Sequence, residues 1–303
     1  KQTNQIGLIN DEISKKVKNF YEENPYPRWR YGKAEIDRKT SYIQVINSEI
    51  KPNSISSNKE EKKLKVLIAG CGTGYQILNA QRYKNAKITA IDISSASLAY
   101  SQRKINEMKI KNIEIIQMDL LDVSLLKDKF DIIECSGVLV CINEPLQGLK
   151  SLLGVLNNNG FLKLGLYSEL ARQDVVKARE YLKTKNIKFS ETNMRTFRDE
   201  IISGNLPELI SLTNFNDFYT TSMFRDLCFH IQETRFTINQ IETILKLNKL
   251  NFLGFLLPES IKSLYKHYFP EEKNQTNLQN WNRFEEKHPN TFRGMYQFWA
   301  TKN

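Results

Sequence analysis

Cysteine and histidine are scarce in this chain, four and three in 303 residues. Cys71, Cys135, Cys141 and Cys228 include no close pair at zinc-ligand spacing, so no metal is expected. Cys71 and Cys135 fall at the ends of apolar runs, where a reduced cysteine acts as a small hydrophobe. No secretory apolar segment is present, and the cytoplasm is the expected compartment. No apolar run approaches the roughly 20 residues that cross a bilayer, so no membrane partner is expected. Acids are outnumbered, 34 against 44 bases, which leaves a formal charge of +10. Such an excess suits an anionic partner. The lysines are dispersed, however, and compositional drift explains them better than nucleic-acid binding does.

What the chain does have is core material. Hydrophobic residues make up 40% and aromatics 11%, enough for one elaborated domain or two small ones. The organising stretch is Lys65–Gly74, KVLIAGCGTG. Val66 to Ala69 form an uninterrupted apolar run of strand length, the pattern of a strand buried on both faces. Gly70, Gly72 and Gly74 follow, then a helical pattern from Tyr75. Glycines let a ligand approach the main chain, and a helix start offers free N–H groups. A dinucleotide or S-adenosylmethionine (SAM) could sit there. The dinucleotide fingerprint wants glycine or alanine where Tyr75 stands.

Strands and helices then alternate. Lys87–Asp92 is an apolar, β-branched strand ending in an acid, at the distance where a carboxylate meets ribose hydroxyls. Ser94 and Ser95 follow, so a helix cap is the competing reading for Asp92. Ser97–Met108 reads as a helix, Ile113–Met118 and Phe130–Cys135 as strands, Glu144–Leu156 as a helix and Phe161–Tyr167 as a strand. This order predicts an α/β doubly wound parallel sheet with its ligand at the carboxyl ends of the strands. Upstream, Ile6–Glu23 carries an apolar stripe of Ile13, Val17, Phe20 and Tyr21, and Tyr42–Ile50 reads as a second helix. Lys51–Lys63 is polar and reads as a linker. Between these helices, Tyr26, Arg28 and Trp29 stand among Pro25 and Pro27. They form either an aromatic-packed loop or a lid that touches substrate.

Gly70–Gly74 resembles the first motif of class I SAM-dependent methyltransferases, and FDII at Phe130–Ile133 resembles the fourth. The string FYEENPYPRW resembles that of a bacterial methyltransferase group often fused to tetratricopeptide repeats. No repeat is visible here; the chain begins at Lys1, and an upstream repeat region outside it is expected. The resemblance implies a Rossmann-like, seven-stranded, mainly parallel sheet with an N-terminal helical lid and a helical cap after the fifth strand. Its expected divisions are 1–63 for lid and linker, 64–168 for the SAM core, 169–236 for the cap and 237–303 for the completing elements. FTINQIETILKLNKLNFLGFLLP resembles the last helix and sixth strand, and Phe292–Thr301 would be the seventh.

The same resemblance assigns SAM, with S-adenosylhomocysteine (SAH) as product, to Gly70, Cys71, Gly72, Gly74, Gln76, Asp92, Ile93, Asp119, Leu120, Ser136 and Gly137. Asp119 would accept from the adenine amino group, with Asp122 as its competitor, and Ser136 and Gly137 would flank the methionine portion. Two positions depart from the family: Ile68 replaces a frequent acid, and Val140 and Cys141 stand where relatives often carry histidines.

In the long insertion, helices are expected at Gln173–Thr184 and Glu191–Ser203. Asp226 and His230 are one helical turn apart, which makes His230 a candidate base oriented by Asp226; a structural histidine is the alternative. Tyr21 is a second candidate base. Arg195, Arg198 and Arg225 could hold a substrate carboxylate, or simply be solvated. His267 and His288 lie in polar loops without an expected role, and Trp281 and Phe284 are expected to pack. The expected activity is methylation of N or O on a small polar metabolite. The alternatives are a protein or peptide acceptor, then RNA, then a SAM-binding protein without catalysis.

Overall fold

The computed structural model describes residues 4–32, 39–56 and 63–302. The expected linker therefore lies partly outside the described residues, over 57–62. In chain order the elements begin with β1 (Asn4–Gln5) and α1 (Glu12–Glu23). The expected helix from Ile6 starts later, because Asp11 caps it by accepting from the Ser14 amide and left-handed Gly7 precedes it. α2 (Tyr42–Ile50) opens on a capping box between Ser41 and Gln44. Then come β2 (Leu64–Ala69), α3 (Tyr75–Ala80), β3 (Ala86–Asp92), α4 (Ser95–Glu107), β4 (Ile113–Gln117), β5 (Phe130–Ser136), α5 (Pro145–Val155) and β6 (Leu156–Ser168). The expected turn at 157–160 is absorbed into β6, where the register with β5 shifts between Phe130 and Ile132.

The insertion holds α6 (Gln173–Thr184), α7 (Glu191–Ile202), two 3-10 segments and α8 (Thr221–Phe229). The chain closes with β7 (Arg235–Phe236), α9 (Ile238–Leu247), β8 (Leu250–Phe255), α10 (Glu259–Tyr268), α11 (Leu278–Lys287) and β9 (Tyr296–Lys302).

The sheet runs β1-β4-β3-β2-β5-β6-β9-β8, with β7 beside β6. Every pairing is parallel except β6 with β9 and β9 with β8. Among the described residues nine strands stand where seven are expected, because β1 and β7 are two-residue pairings too short to show a period. β2 shows why its sequence reads as a continuous apolar run. Leu67 and Ala69 enter the core on one face, Val66 and Ile68 the core on the other. The insertion has a separate core built on Val175, Met194, Phe197, Leu209, Phe218 and Phe224. All four cysteines are buried and free. Trp281 stacks on Tyr265 at 3.9 Å between centroids, which is the packing role expected of it. Among the described residues, no helix is long and apolar enough to cross a membrane.

Candidate functional site

The carboxyl ends of β2, β3, β4 and β5 meet at one cavity of about 290 Å³. Its geometry starts from the glycine turn after β2. Gly70, Gly72 and Gly74 have φ of 77°, 52° and 93°, all left-handed. The Gly70 and Cys71 amides donate to the Ile91 carbonyl at 2.8 and 2.9 Å. Asp92 pins the same turn from the end of β3. Its Oδ2 accepts from the Gly72 amide at 2.7 Å and its Oδ1 from the Ser94 amide at 2.9 Å. The acid and the turn are thus one unit; the cap of α4 is Ser94, whose hydroxyl accepts from the Ser97 amide, so Asp92 is not the helix cap that the sequence offered as its competing reading. Asp119 likewise accepts from the Leu121 amide at 3.0 Å while lining the cavity.

Of the residues expected at the cofactor, Gly70, Cys71, Gly72, Gln76, Asp92, Ile93, Asp119, Leu120, Ser136 and Gly137 all line this cavity. Gly74 does not. A Cβ there would lie 2.4 Å from Ser101 Oγ, so Gly74 allows α3 and α4 to approach each other. Gln76 reaches the Ser136 carbonyl at 3.4 Å and bridges two walls.

The N-terminal segment crosses the cavity and contributes Ser14, Val17, Tyr21, Tyr26 and Pro27. It is tied down at several points. The Glu22 carboxylate accepts from the Ser95 and Ala96 amides at 2.7 and 2.9 Å, the electropositive start of α4. The Thr73 hydroxyl donates to the Pro27 carbonyl, and the Tyr100 hydroxyl to that of Trp29.

The candidate catalytic residues separate. Tyr21 and Asp226 line the cavity and share a hydrogen bond, Tyr21 OH donating to Asp226 Oδ1 at 2.8 Å. Burial, then the neighbouring Asp226 charge, hold the Tyr21 phenol well above its ordinary value. In this structure Tyr21 is a donor to Asp226. His230 does not line the cavity. α8 ends at Phe229, so His230 has extended backbone and does not share a helical face with Asp226. Its Nδ1–H donates to the Gln232 carbonyl at 2.6 Å, and the ring packs on Phe20 and Tyr21. Burial lowers its affinity for a proton. His230→Ala is expected to keep SAM turnover within about tenfold of the parent, whereas losing a general base costs about a hundredfold or more. Turnover of labelled SAM against a metabolite panel checks this.

Of the substrate candidates only Tyr26 lines the cavity. Arg225 is buried as a clamp on α1, donating to the Phe20 carbonyl at 3.0 Å and to Glu23 Oε2 at 2.6 Å. Arg195 is an exposed residue paired with Glu191 on α7. Trp29 is buried in the core beside Tyr75 and Tyr100, and Arg28 is exposed away from the cavity. These positions are corrections, and one cause serves them all: aromatic and arginine side chains pack and clamp as readily as they bind.

Sequence reasoning passed over Tyr167, Cys141, Met295 and Gln297, which also line the cavity. Tyr167 had a usable signal, since it stands near the carboxyl end of a strand. The Arg172 guanidinium covers its ring at 3.7 Å and is held by Glu233 at 3.1 and 2.7 Å. Met295 and Gln297 come from the other end of the chain and had no local signal.

Asp92 gives the site a pH dependence. Its depth in the site, only partly offset by the Ser94 and Gly72 amides, raises its carboxyl to about 6. A folded value above the unfolded one means that the anion costs stability above pH 6, and that this cost is relieved as pH falls. Ligand binding runs the other way if the anion accepts from ribose. SAH affinity is expected to be about tenfold weaker at pH 5 than at pH 7.5, as measured by calorimetry.

A doubly wound sheet with a pinned glycine turn, an acid ending β3 and another just past β4 has the Rossmann-like form shared by many methyltransferases. Residues 60–210 match the family model described as "Methyltransferase domain". An uncharacterized Synechococcus protein is 30% identical over 208 residues, 63% of this chain and 48% of that protein. A tRNA U34 carboxymethyltransferase of Campylobacter curvus is 28% identical over 167 residues, 54% of this chain and 55% of that enzyme. Among solved structures, PKMT2 from Rickettsia typhi in complex with AdoHcy superposes with a TM-score of 0.67 at 19% identity. That superposition covers 92% of this chain and 55% of that one, and it shares the fold. The chain thus spans about half the length of the relatives it matches.

Proposed function

We propose that this chain transfers a methyl group from SAM to a nitrogen or oxygen of a small polar acceptor. The observation that carries the reading is a cavity lined both by Asp92, Asp119 and the glycine turn and by Tyr21, Tyr26, Tyr167 and Asp226. In this reading Asp92 accepts from the ribose hydroxyls, and Asp119 with the Leu120 amide meets adenine. Gly70, Gly72, Ser136 and Gly137 surround the methionine portion. SAM supplies an already activated methyl group. The protein's residues align an acceptor with it and exclude water. Residues 1–63 would act as lid and linker, 169–236 as the cap, and 64–168 with 237–303 as the catalytic core.

A peptide acceptor is the second reading, favoured by the likeness of residues 20–29 to the repeat-fused group. The test is calorimetry with SAH, followed by turnover of labelled SAM against metabolite and peptide panels. Micromolar SAH affinity with labelling of one panel supports the proposal. No SAH affinity would sink it, and affinity without any turnover would leave a non-catalytic SAM-binding protein.

A further inference from the structure

Asp226 is 8% exposed and lines the cavity. A buried carboxylate is costly without a counter-charge. Among the described residues, no lysine, arginine or histidine lies within ion-pair distance of Asp226 or of Asp217, the half-buried acid that adds to its field; Arg172 and His230 are near enough to act on Asp226 only at longer range. The nearby cations are engaged elsewhere. Arg225 holds Glu23, while Arg172, Arg179 and Arg235 all converge on Glu233. The hydrogen bond that Asp226 accepts comes from Tyr21, a neutral phenol.

Three tyrosines, Tyr21, Tyr26 and Tyr167, line the cavity near Asp226. Tyr21 and Tyr26 are adjacent, with ring centroids 6.4 Å apart. Aromatic faces attract cations, more so where water is excluded. An anionic side chain walled by tyrosines repels a carboxylate or phosphate and accepts an ammonium group. This also removes the reason for seeking substrate-binding arginines here.

We infer that the methyl acceptor is an alkylammonium compound, whose nitrogen is held by Asp226 beside the rings of Tyr21 and Tyr26. The inference rests on the methyl-transfer reading. The ammonium first loses one proton to the carboxylate end of the cavity and thence to water. The freed nitrogen lone pair forms the bond to the methyl carbon, and the carbon–sulfur bond breaks with its electron pair going to sulfur. The product nitrogen regains the positive charge that the sulfonium gives up, so Asp226 faces a cation before and after transfer.

The experiment is calorimetry on the full chain saturated with SAH, titrated with cadaverine, with 1,5-pentanediol and with an acetyl-lysine-methylamide peptide mimic. Cadaverine or the lysine mimic is expected to bind about tenfold or more tighter than the neutral diol. Asp226→Asn should abolish that preference while SAH affinity stays within about twofold. Tyr26→Leu serves as the second variant and should weaken amine binding more than diol binding. Preference for the diamine points to a free metabolite, and preference for the lysine mimic to a polypeptide; both uphold the inference. Equal binding of diol and amine, no amine binding, or an unchanged preference in Asp226→Asn overturns it. So does an Asp226→Asn variant that loses SAM affinity and keeps SAH affinity, since Asp226 would then face the sulfonium. Failure of SAH itself to bind would instead defeat the underlying methyl-transfer reading.

Discussion

Gly70→Ala is expected to destabilise the protein by about 2–5 kcal/mol and to remove SAH binding. The backbone at Gly70 has φ of 77°, which costs an L side chain about 1–2 kcal/mol. An added Cβ would also lie 2.1 Å from Val138 Cγ2, far inside contact distance. Val138 follows the Ser136–Gly137 turn, so relief of that overlap displaces two walls of the cavity together. Urea unfolding measures the stability loss. The double variant Gly70→Ala with Val138→Ala separates the causes. It should recover the overlap share, about 1–3 kcal/mol, and leave the conformational share. A Gly70→Ala protein of parental stability that still binds SAH would contradict the geometry of this turn.

Asp92→Asn is the second large effect. The carboxylate accepts from two amides and, in the proposed reading, from the ribose as well. Losing hydrogen bonds to a charged acceptor costs about 1.5–3 kcal/mol, a roughly tenfold to hundredfold rise in SAH Kd. Stability should change far less than affinity. Burial already holds this carboxyl at about 6, so at pH 7.5 the variant is freed from an anion that the fold disfavours. Affinity loss without unfolding separates a ligand-holding acid from one that only pins the glycine turn. A matched fall in both would assign Asp92 to structure alone.

The sheet was legible because local pattern and final environment agree. Val66–Ala69, Lys87–Asp92 and Phe130–Cys135 each read as strands, and each pairs in parallel at the centre of the sheet. The insertion helices were legible too, from apolar stripes that now form their own core. The acceptor end was not. Tyr21, Tyr167, Asp226 and Met295 come from four distant parts of the chain, and nothing local to any of them announces the others. His230 misled for the opposite reason. Its spacing from Asp226 assumed a helix that stops one residue short of it.

The sequence by itself determined the glycine turn and the acids beside it. A glycine turn and strand-end acids are short-range features, and their spacing along a parallel sheet leaves little freedom in where they meet. Only the tertiary structure decided the rest. Which aromatic packs, which arginine clamps α1 and which carboxylate is left facing a cavity depend on how α1, α8 and the end of β6 come together. Burial and the competition for counter-charges exist only once those elements have closed on one another.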